Sequence, residues 1–191
     1  YDITHNGHAD AYASRINSTG SALEFSTFLG GGLDDIASTI TVDAAGQVYV
    51  AGETSSTDFP TTTGVFDTSH NGAEDSFLLR LNNTGSQLVY STFFGGNDTD
   101  RVWAVDVDSA SRAYLVGETL SANFPTTNGA FDTSHNGGSD AVFWIVGPTA
   151  STLEYSTYLG GSDLDAGYGV TISGVTSAFM TGRTISTGFP T

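Results

Sequence analysis

Phe25-Ser26-Thr27-Phe28-Leu29-Gly30-Gly31 returns as Tyr90-Ser91-Thr92-Phe93-Phe94-Gly95-Gly96 and again as Tyr155-Ser156-Thr157-Tyr158-Leu159-Gly160-Gly161, at one constant period. The same step carries Phe59-Pro60-Thr61 to Phe124-Pro125-Thr126 and Phe189-Pro190-Thr191. It also carries Tyr1-Asp2 with His5-Asn6-Gly7 to Phe66-Asp67 with His70-Asn71-Gly72 and to Phe131-Asp132 with His135-Asn136-Gly137. The chain therefore reads as three tandem copies, 1–65, 66–130 and 131–191, the last degenerate and stopping short of a full period. A fixed period of this length marks a repeat architecture.

Alternating β-branched and aromatic residues in the second copy predict four strands, at 76–82, 87–94, 102–108 and 113–118. Asn82-Asn83-Thr84-Gly85 and, in the first copy, Asp43-Ala44-Ala45-Gly46 are hairpin signals between them. Residues 120–137, with Pro125 and Asn136-Gly137, read as an ordered connection between units. Phe77, Leu79 and Leu81 alternate with Leu78, and Val142, Trp144 and Val146 alternate with Ala141, Phe143 and Ile145. Both faces of these strands call for burial, which a four-stranded antiparallel meander held between two neighbours provides. The expected fold is all-β, with three four-stranded β-propeller blades, one per copy, forming one domain or part of a larger propeller.

Composition agrees with strands and tight turns: 24 glycines, abundant Ser and Thr, and no cysteine among 191 residues. The five basic residues are all arginines, and against 21 acidic ones they leave a net charge of −16. Such a surface repels phosphate backbones and anionic membranes, so nucleic acid is not an expected partner. Without cysteine there is no disulfide framework and no thiolate metal site. The longest strongly apolar run, 141–146, is far short of the roughly 20 residues of a membrane helix, and the start at Tyr1 has no signal-peptide pattern. The segment is expected to be soluble, mature and not inserted in a membrane.

The Gly-Gly segment, the hairpin Val42-Asp43-Ala44-Ala45-Gly46-Gln47-Val48-Tyr49-Val50, Gly52-Glu53-Thr54 and Phe59-Pro60-Thr61 together resemble the SBBP β-propeller repeat family of bacteria and archaea. The resemblance covers essentially the whole chain. It implies a propeller of such units in a large secreted or cell-surface protein, with no activity common to the family. The third copy departs from it where the hairpin reads Ser173-Gly174-Val175-Thr176 and where Arg183 stands in place of Glu53 and Glu118. Three units are fewer than the four to eight that usually close a ring. The chain is then a part of something longer, or two chains pair to complete a propeller, or units continue head to tail into a filament.

Three repeated sets of residues are candidates for chemistry. The acidic loops Asp34 and Asp35, Asp98 and Asp100, and Asp163 and Asp165 can supply oxygens to calcium, or Asp35, Asp100 and Asp165 can cap a turn through the backbone. His5, His70 and His135, with Asp2, Asp67 and Asp132 upstream and Asp10, Asp75 and Asp140 downstream, suggest metal or acid–base work. Repetition in every unit favours a structural Asp–His hydrogen bond. Glu53 and Glu118 are equivalent positions rather than an acid–base pair, no catalytic motif accompanies them, and no catalytic residue is assigned.

Asn17, Asn82 and Asn97 each open a glycosylation acceptor sequence, the first two in the same turn one repeat apart. Trp103 and Trp144 lie in strands and are expected in the core. The expected role is a non-enzymatic extracellular or cell-surface scaffold, adhesive or filament-forming, that self-associates. A propeller that binds glycan or calcium is the alternative.

Overall fold

The computed structural model describes residues 1–174 and 177–191, so the third-copy hairpin reading at Val175-Thr176 lies outside the described residues. Twelve strands occur among them, and no helix. They are β1 (Ala11–Ile16), β2 (Leu23–Leu29), β3 (Asp35–Val42), β4 (Val48–Thr54), β5 (Asp75–Leu81), β6 (Leu88–Phe94), β7 (Asp100–Val107), β8 (Ala113–Thr119), β9 (Asp140–Val146), β10 (Leu153–Leu159), β11 (Asp165–Ser173) and β12 (Ser177–Thr184).

All pairing between these strands is antiparallel. Two sheets have four strands, β3-β4-β5-β6 and β7-β8-β9-β10, and two have only two, β1-β2 and β11-β12. This corrects the expectation that each copy of the repeat forms its own four-stranded sheet. The four strands of the second copy, β5 to β8, are divided between two sheets, half a repeat out of phase with the sequence period. The division is made at Gly95-Gly96, where the chain turns under the buried Asp100 carboxylate and passes to the next sheet. The long connection that follows β8 returns instead to the same sheet, with β9 beside β8 from Ala113↔Val146 to Thr119↔Asp140.

The hydrophobicity of both strand faces is explained by what lies between the sheets. One buried cluster joins Tyr49, Leu78 and Phe94 of the first four-stranded sheet to Val102, Leu115 and Trp144 of the second. Another joins Ala11, Ala13 and Leu29 of the β1-β2 pair to Val50, Phe77 and Leu79. On the far side β11 packs against β7, β8 and β9. Each four-stranded sheet is therefore an apolar layer between two others, and the central strands β4, β5, β8 and β9 are buried almost throughout.

Candidate functional site

The repeated acidic loops resolve into pairs of unlike carboxylates. Asp100, fully buried at the start of β7, accepts hydrogen bonds from Gly96 N at 2.6 Å, Ser121 Oγ at 2.9 Å and Thr119 Oγ1. Asp35 accepts from Gly31 N, Ser56 Oγ and Thr54 Oγ1, and Asp165 from Gly161 N and Ser186 Oγ. Their neighbours Asp34 and Asp163 are exposed and Asp98 is exposed as well. One member of each pair is thus occupied by turn donors while the other stands in solvent. Among the described residues no group of three His, Asp or Glu side chains is placed to hold a metal ion. Each loop thus pairs an exposed carboxylate with one that is hydrogen-bonded to its own turn.

A second carboxylate faces the first in each unit. Asp75 accepts from Asn71 N at 2.8 Å and Gly72 N at 3.1 Å. Asp10 does the same for Asn6 N and Gly7 N, and Asp140 takes Asn136 N. Gly95 lies between the two, where a β-carbon would fall 2.6 Å from Asp75 Oδ1 and 2.9 Å from Asp100 Oδ2. Burial disfavours the ionised form. It pushes Asp100 up to about 6 against the donors that favour its charge, with Asp75 adding a like charge nearby. Burial also raises Asp35, Asp75 and Asp140.

The histidines lie beside these carboxylates without the expected Asp–His bond. Asp67 accepts from Ser69 N at 2.8 Å and Asn71 Nδ2 at 2.9 Å, and Asp132 repeats the pattern with Ser134 and Asn136. Asp2 accepts from Thr4 N and, at 3.4 Å, from Asn6 Nδ2. The asparagine after each histidine, not the histidine, is the partner. His70 sets its ring edge-on to Phe93 and places Nε2 3.1 Å from Thr54 O on β4. His5 and His135 make the same edge contact with Phe28 and Tyr158.

The sequon asparagines Asn17 and Asn82 cap their own hairpin turns. Asn17 Oδ1 accepts from Ser21 N at 2.9 Å and Asn82 Oδ1 from Ser86 N at 3.0 Å. Asn97 is exposed, with its backbone N–H donated to Asn123 Oδ1.

Charged and aromatic side chains gather where β3, β7 and β11 follow one another from sheet to sheet. Arg101 binds Glu53 Oε2 and Glu74 Oε2, each at 2.6 Å, and lies 3.9 Å from Glu118. It links the first sheet to the second. Trp144 is fully buried as expected, but Trp103 is 36% exposed and meets Tyr168 edge-on at 6.0 Å. Trp103 occupies the bulge between Val102 and Ala104, and a bulge re-aims a side chain out of the strand's alternation.

The largest departure from a closed structure is at the two ends. β12 occupies in its unit the place that β4 and β8 occupy in theirs, yet it is exposed almost throughout while they are buried. β1 corresponds to β5 and β9 and is likewise half uncovered. Tyr12 and Ile16 on β1 are 68% and 63% exposed, and Phe179 on β12 is 61% exposed. An apolar cavity of about 170 Å³ beside β12 is lined by Val142, Leu159, Met180 and Phe189. The pair β11-β12 corresponds to β3-β4 and β7-β8, and the pair β1-β2 corresponds to β5-β6 and β9-β10.

Residues 24–60 match the family model of the SBBP beta-propeller repeat. The motifs within that stretch recur one and two periods further along the chain. No curated protein matches the chain.

Proposed function

With SBBP-type β-propeller repeats as its unit of construction, we propose that this protein is a non-enzymatic structural scaffold that self-associates by completing blades. The observation that carries the reading is the pair of two-stranded sheets, whose exposed strands correspond to strands buried in each four-stranded sheet and call for covering by further strands, of a second copy or of more of the same repeat. An uncovered strand edge with apolar side chains is a template for pairing. The repeated buried polar groups fit a scaffold too, since each binds the backbone of its own unit: Asp35 and Asp100 hold the Gly-Gly turns, and His70 ties the connection to β4.

We place the scaffold outside the cell or on its surface. A lysine-free chain offers one class of protease fewer sites, its charge of −16 favours solubility, and Asn17 and Asn82 carry glycosylation acceptor sequences in exposed hairpin turns. Sedimentation of the purified chain over a wide concentration range tests the assembly. Species heavier than one chain are expected, and a single-chain mass at every concentration removes the reading.

A second reading is favoured by one observation, the exposed Trp103–Tyr168 pair beside Arg101 and Glu118. Aromatic faces with adjacent charged hydrogen-bonding groups suit a carbohydrate ring. Saturable quenching or enhancement of Trp103 fluorescence by glycans, lost in Trp103→Phe, would support it, and a flat response across a glycan panel would remove it.

A further inference from the structure

Four asparagines of the chain are followed by glycine: Asn6-Gly7, Asn71-Gly72, Asn128-Gly129 and Asn136-Gly137. Three belong to the repeated His-Asn-Gly tripeptide, and the fourth stands only in the second copy, where the first has Thr63-Gly64. In an Asn-Gly pair the backbone nitrogen of the glycine can attack the asparagine side chain unhindered, because glycine has no β-carbon in the way. We propose that Asn128 is a modification site that deamidates spontaneously in the folded protein, while the three repeated Asn-Gly pairs are held out of the same reaction.

All four asparagines are exposed, so access to water does not separate them. What separates them is the hold on two atoms, the glycine nitrogen that attacks and the side-chain amide that leaves. Asn71 Nδ2 donates to Asp67 Oδ2 at 2.9 Å and to Ser69 O at 3.0 Å, and Gly72 N donates to Asp75 Oδ1 at 3.1 Å. Asn136 Nδ2 donates to Asp132 Oδ2 at 2.7 Å and to Ser134 O at 3.0 Å. At the first pair Asn6 Nδ2 donates to Asp2 Oδ2 at 3.4 Å and Gly7 N to Asp10 Oδ1 at 3.2 Å. These glycines are also boxed in. A β-carbon on Gly7, Gly72 or Gly137 would collide with the carbonyl oxygen of Leu33, Asp98 or Gly161, which leaves no room for a new ring.

Asn128 and Gly129 are the central residues of a turn closed by Ala130 N, which donates to Thr127 O at 3.1 Å, and Gly129 has a φ of 80°. Among the described residues nothing bonds to the Asn128 side chain or to Gly129 N–H, and a β-carbon on Gly129 would meet nothing within 4 Å. Both reacting atoms are therefore free.

The reaction needs no co-reactant but water. Gly129 N loses its proton and bonds to Asn128 Cγ, the Cγ–Nδ2 bond breaks, and ammonia departs with that proton to leave a cyclic imide. Water then opens the imide at either carbonyl, giving aspartate, or isoaspartate in which the chain runs through the β-carboxyl group. Either product adds one negative charge to a chain already at −16. Isoaspartate also lengthens the backbone by one carbon between two anchors, Thr127 N on Ser156 O and Phe131 N on the Tyr155 hydroxyl.

The purified chain is aged in warm, mildly alkaline buffer, folded and in parallel unfolded in urea, and its peptides are sequenced by tandem mass spectrometry against an unaged sample. Chymotryptic cleavage after Phe124 and Phe131 puts Asn128 in a peptide separate from Asn136. Methyl transfer by an isoaspartyl methyltransferase reads isoaspartate. In the folded chain Asn128 should convert at least about tenfold faster than Asn6, Asn71 or Asn136, because local opening of their hydrogen bonds must precede reaction there. In urea the four rates should converge. Asn128→Gln, which removes the five-membered imide route from an exposed turn, should lose the first acidic species resolved by anion exchange.

An Asn128 that stays intact in the folded chain, or reacts no faster there than the repeated three, overturns the site. A lead for Asn128 that persists in urea overturns the shielding of the other three by the fold. Aspartate without isoaspartate overturns the imide route.

Discussion

Replacing Asp100 with Asn tests whether the buried carboxylates keep their protons in the folded protein. Asp100 has no solvent exposure, and its burial pushes it up to about 6. In the unfolded chain an aspartate titrates near about 4. Between those two pH values the folded chain binds a proton that the unfolded chain does not. Stability from this group is thus fully present below about pH 4 and lost as pH rises through about 6. The slope reaches about 1.4 kcal/mol per pH unit, and the loss over the whole window is about 3 kcal/mol. Asp35, Asp75 and Asp140 are raised in the same direction and add to the trend.

Asn keeps the size of the side chain and an oxygen acceptor for Gly96 N or Ser121 Oγ, but it does not titrate. Urea unfolding is followed by the fluorescence of the buried Trp144, at steps from about pH 4 to 8 and at one protein concentration. The difference between wild type and Asp100→Asn isolates this one group. The wild type should lose about 3 kcal/mol more than the variant as pH rises through the window. Parallel profiles, or a wild type that gains stability relative to the variant over that range, would refute the reasoning.

Trp144→Ala should lower unfolding stability by about 3 to 5 kcal/mol, because it empties the centre of the cluster shared by the two four-stranded sheets. Denaturant titration checks it, and a loss under about 1 kcal/mol would mean that the sheets are not packed through this residue. Gly95→Ala should cost about 1 to 3 kcal/mol, since its methyl group meets two carboxylates held by backbone N–H groups. An unchanged melting temperature would contradict that geometry. Millimolar calcium should leave the melting temperature where it is, because the buried aspartate of each loop is bonded to its own turn, and a saturable upward shift would favour the calcium alternative.

The strands themselves were legible in the sequence. The stretches expected at 76–82, 87–94, 102–108 and 113–118 are β5 to β8 with only their ends displaced. Both hairpin signals join strands that do pair, β3 to β4 and β5 to β6. What the pattern did not disclose is which strands share a sheet. The short loop at Gly95-Gly96 looks like one more hairpin turn, yet the Asp100 carboxylate draws its backbone inward and the chain changes sheets there. The longer connection reads as a passage between units, although it returns to the strand beside its start.

The site residues divide in the same manner. Period and residue type picked out the repeated Asp and His positions, but their partners depend on three-dimensional placement. The asparagines at 6, 71 and 136 take Asp2, Asp67 and Asp132 because the amide side chain reaches back across the turn. That Asx geometry is a signal a closer reading of the Asp-x-x-x-Asn spacing contains. Trp103 looked like a core residue because alternation alone does not reveal a bulge. The exposed edges of β1 and β12 were foreshadowed by the number of repeats, while the half-repeat offset of the sheets is a property of the pairing.

The mass of the native particle decides the matter most directly. Light scattering at moderate salt should give a mass well above the 19.8 kDa of one chain that rises with concentration. Particles of one chain at every concentration would contradict a scaffold that self-associates.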